Sequence, residues 1–164
     1  MKHILDACCG GRLFWFNKKH PDTIYVDIRR APAGFSKDRK NFSVEPDVIA
    51  DFRALPFPDK RFKHIVWDPP HLLDLQATSI MQRKYGTLFT ETWAYDLGKG
   101  FDELWRVLDD YGTLVFKWSD SVISLEKVLS CFKEQPLYGH PTMTGNTYWV
   151  VFFKNPHSSS VSQS

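Results

Sequence analysis

The stretch "HIVWDPPHLL", residues 64 to 73, ends an apolar run on an acidic residue that two prolines follow at once. Residues 65 to 67 predict a buried strand, and Asp68 closes it. Proline has a fixed φ and no N–H, and it disfavours helical backbone in the residue before it. We therefore expect Asp68, Pro69 and Pro70 to form a rigid, extended turn with outward-facing carbonyls. Such a turn either holds a small polar group or merely ends a strand.

Three earlier apolar runs also have an acidic residue at or near the end of the predicted strand. The first run begins at Ile4, contains Asp6 and stops at Gly10-Gly11; "TIYVDI" (23 to 28) contains Asp27, and "DVIADF" (47 to 52) contains Asp51. With "RFKHIVWD" (61 to 68), these runs predict four strands that each close on a carboxylate. After the glycine turn, "RLFWFNKKH" predicts a short helix with Leu13, Phe14 and Phe16 inward.

The second half of the chain continues the alternation of strands and helices. Residues 71 to 95 have little periodicity and predict a loop or lid, whose 72–92 part is expected to border the acceptor pocket. Apolar residues at helical spacing then predict a helix from Thr92 to Leu108. The remaining expectations are a turn at "DDYG", a strand at 112–118, a helix in 119–134 capped by Ser119 or Asp120, a further strand in 136–141 and a last strand at 147–154. Such alternation indicates a mostly parallel sheet.

Composition limits the class of protein. The 164 residues are 43% hydrophobic, which suits one globular domain over residues 1–155, followed by a flexible serine-rich tail at 156–164. The formal net charge of +2 excludes nucleic-acid binding by overall charge alone, so any such contact must be local. The three cysteines match no metal or disulfide spacing, which predicts a reduced protein with no metal. The sequence shows no signal peptide or membrane span, which predicts a cytoplasmic protein with no membrane association.

The strand ends predict a nucleoside-bearing cofactor. Ligands of open parallel sheets bind beyond the carboxyl ends of the strands, where all four acids are expected. Asp27 lies 17 residues after Gly10, near the separation of about 20 expected between a glycine turn and a ribose-binding acid. The dinucleotide fingerprint fails, because Cys8 and Leu13 occupy its flanking glycine positions.

Four motifs together resemble a class I S-adenosylmethionine-dependent methyltransferase: "LDACCGG", "VDIR", "ADFRALPFPDKRFKHIVWDPPH" and "LWRVLDDYGTLVFKW". The likeness extends from about Ile4 to Lys154. It implies a Rossmann-like, doubly wound sheet with helices on both faces and an antiparallel C-terminal strand. "DPPH" is similar to the motif of amino methyltransferases that modify adenine N6 or cytosine N4 in DNA, and small phage and prophage methyltransferases look closest.

The resemblance implies roles for particular residues. S-adenosylmethionine would be held by residues at the strand ends: Asp6, Ala7, Cys8, Cys9, Gly10, Asp27, Ile28, Asp51, Phe52 and Asp68. The catalytic motif would comprise Asp68, Pro69, Pro70 and His71. His71 replaces the family's usual Tyr, Phe or Trp, and either stacks on the acceptor or packs in the lid. No segment is long enough for a target-recognition domain, so a partner subunit or a homodimer is expected to supply recognition.

An exocyclic amine is a poor nucleophile because its lone pair is delocalised into the ring. Accepting its two N–H bonds with the Asp68 carboxylate and the Pro69 carbonyl would favour a pyramidal nitrogen. The base would be unpaired or flipped out, with His71 or Trp118 against its face. DNA is the expected substrate rather than RNA. The alternatives are methylation of RNA, protein glutamine or a small molecule, and a cofactor-binding subunit without activity.

Overall fold

In the part of the chain that the structure describes, seven strands form a single sheet in the order β3-β2-β1-β4-β5-β7-β6. This computed structural model describes residues 1–36, 38–139 and 146–157. Strands β1 to β5 run parallel, and β7 is antiparallel to both β5 and β6. The mostly parallel sheet with an antiparallel C-terminal strand is therefore confirmed. The strands are β1 (Ile4–Asp6), β2 (Thr23–Asp27), β3 (Val48–Ile49), β4 (Phe62–Trp67), β5 (Leu108–Ser119), β6 (Tyr138–Gly139) and β7 (Thr147–Phe153).

The longest helix, α2 (Trp93–Val107), packs its apolar face into the core as its periodicity predicts. Four side chains spaced at helical intervals on it have no exposed surface: Leu97, Phe101, Leu104 and Val107. Two shorter helices are α1 (Ile80–Tyr85) and α3 (Leu125–Leu129).

Aromatic rings fill the space between α2 and the sheet. Phe101 stacks on Phe132 at 4.5 Å between ring centroids and meets Phe152 edge-on at 5.0 Å. Phe132 also lies 5.7 Å from Trp67, whose ring is 5.0 Å from Phe116. Edge-on and offset ring pairs of this kind add stabilisation beyond the area that they bury. Since Trp67 precedes Asp68, this cluster fixes the start of the "DPPH" turn.

The helix predicted after the glycine turn does not form, and this prediction is wrong. Residues 12–20 make an irregular segment, which we call the 12–20 loop. Arg12 has φ 54°, and its guanidinium donates hydrogen bonds to the carbonyls of Lys18 and Glu45, which curls the loop. Leu13 and Phe16 point to solvent, with Phe16 completely exposed. The four consecutive large apolar residues at 13–16 cannot share one helical face, which explains the failure.

Two further boundaries differ from prediction. "DDYG" is not a turn between elements but lies within β5, where the pairing with β4 shifts register between Phe62 and His64 and Tyr111 adopts φ 59°. A bulge of this kind absorbs extra residues without ending a strand. The cap of α3 is Ser124, whose side chain accepts from the N–H of Lys127 at 3.3 Å. The predicted caps at 119 and 120 are wrong, since β5 continues to Ser119.

The predicted lid segment contains one short helix, α1, that the sequence pattern did not reveal. In the predicted strand at 136–141, β6 occupies Tyr138–Gly139, whereas residues 140 and 141 lie outside the described residues. Most of the predicted tail, residues 158–164, also lies outside them. No helix in the described ranges combines the length and the apolar character that a membrane crossing requires.

Candidate active site

Four acids gather at the carboxyl edge of the sheet, as predicted from their positions at the strand ends. Asp6 and Asp27 are the last residues of β1 and β2, Asp51 follows β3 by two residues, and Asp68 directly follows β4. Strand β1 lies between β2 and β4, at the point where the strand order reverses. Ligands of doubly wound sheets bind at such a reversal.

Asp6 is completely buried at the centre of this edge. One carboxylate oxygen accepts the indole N–H of Trp15 at 2.7 Å, and the other accepts the backbone N–H of Cys8 at 3.3 Å. Burial raises the pKa of Asp6 to about 7 against the lowering effect of these two donors, and the nearby charges of Asp68 and Asp27 raise it further. A cationic ligand group beside Asp6 would favour its ionised form.

The glycine turn is tied to both neighbouring strands. The N–H of Ala7 donates to the carbonyl of Val66 at 3.0 Å, and the N–H of Cys9 donates to the carbonyl of Val26 at 2.8 Å. Gly10 has φ 46°, and open space lies where a Cβ would project. A ligand can thus approach the backbone here without meeting a side chain.

Asp27 joins this turn to the end of β2. Its Oδ2 accepts the N–H of Gly10 at 2.9 Å, and its Oδ1 accepts the backbone N–H and the Nε of Arg29 at 3.0 and 3.1 Å. Each carboxylate oxygen can accept two hydrogen bonds, so Oδ2 keeps capacity for a ribose hydroxyl. Ile28, between these residues, is 60% exposed and provides an apolar surface beside the acid.

Asp51 is engaged by its own neighbour. Arg53 donates to both of its carboxylate oxygens, the shortest contact being 2.6 Å, and these hydrogen bonds lower the pKa of Asp51 against the effect of its burial. Arg53 also donates to Asp96 of α2 at 2.6 Å. Phe52 lies edge-on to Trp67 at 5.4 Å and packs so closely on Gly100 that no side chain would fit there. The carboxylate of Asp51 is thus engaged by Arg53, and the ring of Phe52 packs against the core.

In the "DPPH" turn, Asp68 forms a salt bridge with Lys117. Its Oδ2 accepts from the ammonium of Lys117 at 2.8 Å, and none of the described residues donates a hydrogen bond to its Oδ1. Burial raises the pKa of Asp68, and the charge and hydrogen bond of Lys117 partly oppose this. Pro69 is buried, whereas Pro70 packs on Gly86 at the end of α1. One oxygen of this carboxylate thus remains available to a ligand.

The structure separates the two aromatic candidates for stacking. His71 is half-buried, and its ring lies 6.3 Å from Trp118 in an edge-on arrangement. Burial lowers the pKa of His71, which favours a neutral imidazole. Trp118 has no exposed surface, and its indole N–H donates to the carbonyl of Ile123 at 2.8 Å. The prediction that Trp118 could stack on a base is therefore wrong.

The adjacent cysteines lack the environment of nucleophiles. Burial raises the pKa of Cys9 to about 12 and that of Cys8 well above its ordinary value, and Asp6 and Asp27 raise both further. Thiolates are the reactive form, so these thiols serve as small packing residues at the strand end. Within the described ranges, no group of three or more His, Cys, Asp or Glu side chains is arranged to hold a metal ion.

Sequence reasoning missed the cations that pair with these acids. The alternation of β5 contains a signal for Lys117, because it lies between buried Phe116 and Trp118 and must face the opposite side of the sheet. Arg29 and Arg53 each follow their acid by two residues, but that spacing is common in loops and does not identify a pair. Trp15 reaches Asp6 only through the shape of the 12–20 loop.

Solved structures share this fold over nearly the whole chain. The PH0226 protein of Pyrococcus horikoshii OT3 is 17% identical, with a TM-score of 0.58, and the alignment covers 93% of this chain and 81% of that one. The N-methyltransferase NodS of Bradyrhizobium japonicum WM9 is 14% identical with a TM-score of 0.53 (94% and 86% covered). A SAM-dependent methyltransferase of Methanosarcina mazei is 12% identical with a TM-score of 0.52 (93% and 92% covered).

No protein-family model and no curated protein sequence matches the chain. The structural likeness establishes that the chain has the Rossmann-like fold found in proteins described as S-adenosylmethionine-dependent methyltransferases. At these identities it establishes the fold alone.

Proposed function

We propose that this protein is an S-adenosylmethionine-dependent methyltransferase that modifies an exocyclic amine of a nucleic-acid base, adenine N6 or cytosine N4. The observation that carries the proposal is the arrangement at Asp68, where a partly exposed carboxylate with one free oxygen precedes the Pro69 carbonyl. This pair lies at the same sheet edge as the glycine turn and Asp27. An amine with two N–H bonds needs two acceptors, and this carboxylate and the carbonyl of the next residue can supply them.

The residues at the edge fit S-adenosylmethionine. The open backbone at Gly10 admits a ligand, Asp6 favours a positive group beside it, and Oδ2 of Asp27 can accept a ribose hydroxyl. Phe52 and the exposed side chain of Ile28 offer apolar surface for an adenine ring. When bound, the cofactor supplies an electrophilic methyl group on a sulfonium.

The chain's own contribution to the reaction is orientation. Asp68 and the Pro69 carbonyl would accept the two N–H bonds of the amine and direct its lone pair toward the cofactor edge. Lys117 favours the ionised form of Asp68, because its charge and hydrogen bond oppose the rise in pKa that burial causes. The half-buried His71 would lie against the acceptor ring as a neutral imidazole.

Cofactor binding is tested with Asp27→Ala. The loss of a charge-assisted hydrogen bond to ribose should weaken the affinity for S-adenosylmethionine roughly tenfold to a hundredfold, since such a bond is worth about 1.5–3 kcal/mol. Titration calorimetry with S-adenosylmethionine and with its demethylated product measures the effect. Asp47→Ala, which removes an exposed acid from the same half of the sheet, is the matched control. Unchanged affinity in Asp27→Ala would remove this residue from the cofactor site.

Acceptor orientation is tested with Asp68→Ala at saturating cofactor. Single-turnover methyl transfer to oligonucleotides, RNA, protein and nucleosides should fall roughly tenfold to a hundredfold, while cofactor affinity stays near the wild-type value. Asp110→Ala, at the opposite edge of the sheet, should keep full activity. Wild-type turnover in a folded Asp68→Ala protein would contradict the amine-orienting role. The panel of acceptors distinguishes a nucleic-acid base from the other classes, and transfer to none of them would indicate a silent cofactor-binding subunit.

A further inference from the structure

A second concave surface lies beside the glycine turn and has the opposite charge to the acidic edge. It is a cavity of about 530 Å³, bounded on one side by Gly10 and Gly11 and on the other by residues 39–43 and Glu45. A Cβ on Gly11 would collide with the ring of Phe42. Glycine at this position therefore lets the two sides of the cavity come into contact. The charged residues that line it are five cations and one acid: Arg12, Lys18, Lys19, Arg39, Lys40 and Glu45.

Four of the five cations are exposed: Lys18, Lys19, Arg39 and Lys40. None of these four forms a salt bridge with an acid in the described part of the chain. Arg12 has a structural role, since it donates to the carbonyls of Lys18 and Glu45 and covers the ring of Tyr25 at 3.6 Å. These contacts hold the two walls of the cavity together. The cavity therefore offers several unneutralised donors on a preformed concave surface, the arrangement that suits a polyanion.

The 12–20 loop adds exposed apolar surface between the cations. Phe16, two residues before Lys18, is completely exposed. Leu13, five residues before Lys18, is 49% exposed. No packing among the described residues accounts for this exposed phenyl ring beside lysines. Surfaces that bind single-stranded nucleic acid combine cations that follow the backbone with aromatic rings on which bases stack.

The cavity adjoins the proposed acceptor site through consecutive residues. Leu13 lines the cavity, and the next residue, Phe14, has its ring 5.7 Å from the ammonium of Lys117, which pairs with Asp68. The cations at the sheet edge are engaged with its acids, so a polyanionic substrate needs other local cations to hold its phosphates. The overall charge of +2 does not provide these, whereas the cavity does.

We propose that this cavity binds the phosphodiester backbone of single-stranded or locally unpaired nucleic acid, with Phe16 stacking on a base next to the one presented to Asp68. The proposal rests on the proposed function, because it assigns the recognition surface of the same substrate. It places part of that recognition in this chain rather than in a partner subunit.

The test measures binding of a fluorescein-labelled single-stranded oligonucleotide of about 12 nucleotides by anisotropy over a range of salt concentrations. Lys18→Ala/Lys19→Ala and Arg39→Ala/Lys40→Ala should each weaken binding roughly tenfold at low salt and reduce the slope of log affinity against log salt by about 1.4. Lys60→Ala/Lys63→Ala removes the same charge from the opposite edge of the sheet and should leave affinity and slope unchanged. Thermal melting confirms that each variant is folded.

Phe16→Ala should weaken oligonucleotide binding roughly fivefold or more and leave the salt slope unchanged, because stacking releases no counterions. Phe153→Ala, at the far end of β7, is its control. Equal binding of polyglutamate, or binding of inorganic phosphate without oligonucleotide binding, would overturn the proposal. So would an unchanged affinity in both lysine and arginine double variants. If the protein methylates nucleic acid and both double variants bind the oligonucleotide as the wild type does, only this inference is refuted. If binding depends on the cavity but no methyl group is transferred, only the proposed reaction is refuted.

Discussion

Asp6 shows how a single buried carboxyl can affect the whole domain. Its pKa is raised from 3.8 to about 7, mainly by burial, so the folded protein binds a proton here that the unfolded chain releases between these two values. Below pH 3.8 both states are protonated, and above about 7 both are ionised. Stability therefore decreases as pH rises through this range, and it stays low above it.

We expect the contribution of Asp6 to the free energy of unfolding to fall by about 3 kcal/mol between pH 4 and pH 7, since each pKa unit corresponds to about 1.36 kcal/mol and titration is incomplete at both ends of this range. Asp6→Asn cannot titrate, so its denaturant-unfolding free energy should depend less on pH than that of the wild type. The asparagine has one acceptor instead of two for Trp15 and Cys8, and the variant should be less stable at low pH. Parallel pH curves for the two proteins would contradict the raised pKa.

The positions of the acids could be predicted from the sequence, but their partners could not. Asp6, Asp27 and Asp68 end strands whose apolar runs are continuous, and the parallel order brings such ends together. Their partners depend instead on tertiary structure. Asp68 pairs with Lys117, 49 residues away, and Asp6 accepts a hydrogen bond from Trp15, 9 residues away. No local pattern encodes those contacts. Trp118 was misjudged because an aromatic residue at a strand end can face either the ligand or the core.

At the scale of elements, the side chain of Arg29 links α1 to the carboxyl edge of the sheet. The guanidinium of Arg29 donates to the carbonyls of Arg83 at 2.7 Å and Lys84 at 3.1 Å, at the C-terminal end of α1, while its Nε donates to Asp27. A cation at this end of a helix satisfies its free carbonyls and interacts favourably with its dipole. Lys84 is itself buried in a salt bridge with Asp38.

Arg29→Met should loosen the 72–92 segment, because it removes these donors and keeps most of the aliphatic stem. Hydrogen exchange in residues 80–86 should accelerate several-fold relative to the wild type, and in both proteins it should be faster than in β5. Arg30→Met, which removes a hydrogen bond to the carbonyl of Pro46 instead, should leave this exchange unchanged. Exchange as slow in the segment as in β5 would contradict the prediction that the segment is weakly packed.

The errors in elements share a physical cause. The 12–20 loop and α1 are both short, and in each case hydrogen bonds from an arginine, rather than periodicity, determine the backbone. The bulge at Tyr111 likewise depends on the register of β4. By contrast, α2 was predictable because four buried side chains repeat at helical spacing over 15 residues.

At the scale of the whole molecule, the mostly parallel sheet and its antiparallel last strand could be predicted from the sequence, whereas the order of the strands is known only from the structure. The sheet places β1 and β4 side by side, and this brings the glycine turn next to the "DPPH" turn although about 60 residues separate them. The basic cavity could not be predicted in this way. Its two walls come from cationic runs typical of solvated loops, and only the folded chain shows that they face one another.

Strand β3, which forms one border of the sheet, contains only two residues. Such a short border offers an incoming strand too few backbone groups to serve as a template. Because open-ended extension of a sheet uses both of its borders, a repeating assembly should not form by this route. Light scattering at increasing protein concentration should show no open-ended growth in mass, whereas linear assemblies with added β-sheet signal in circular dichroism would contradict this reading.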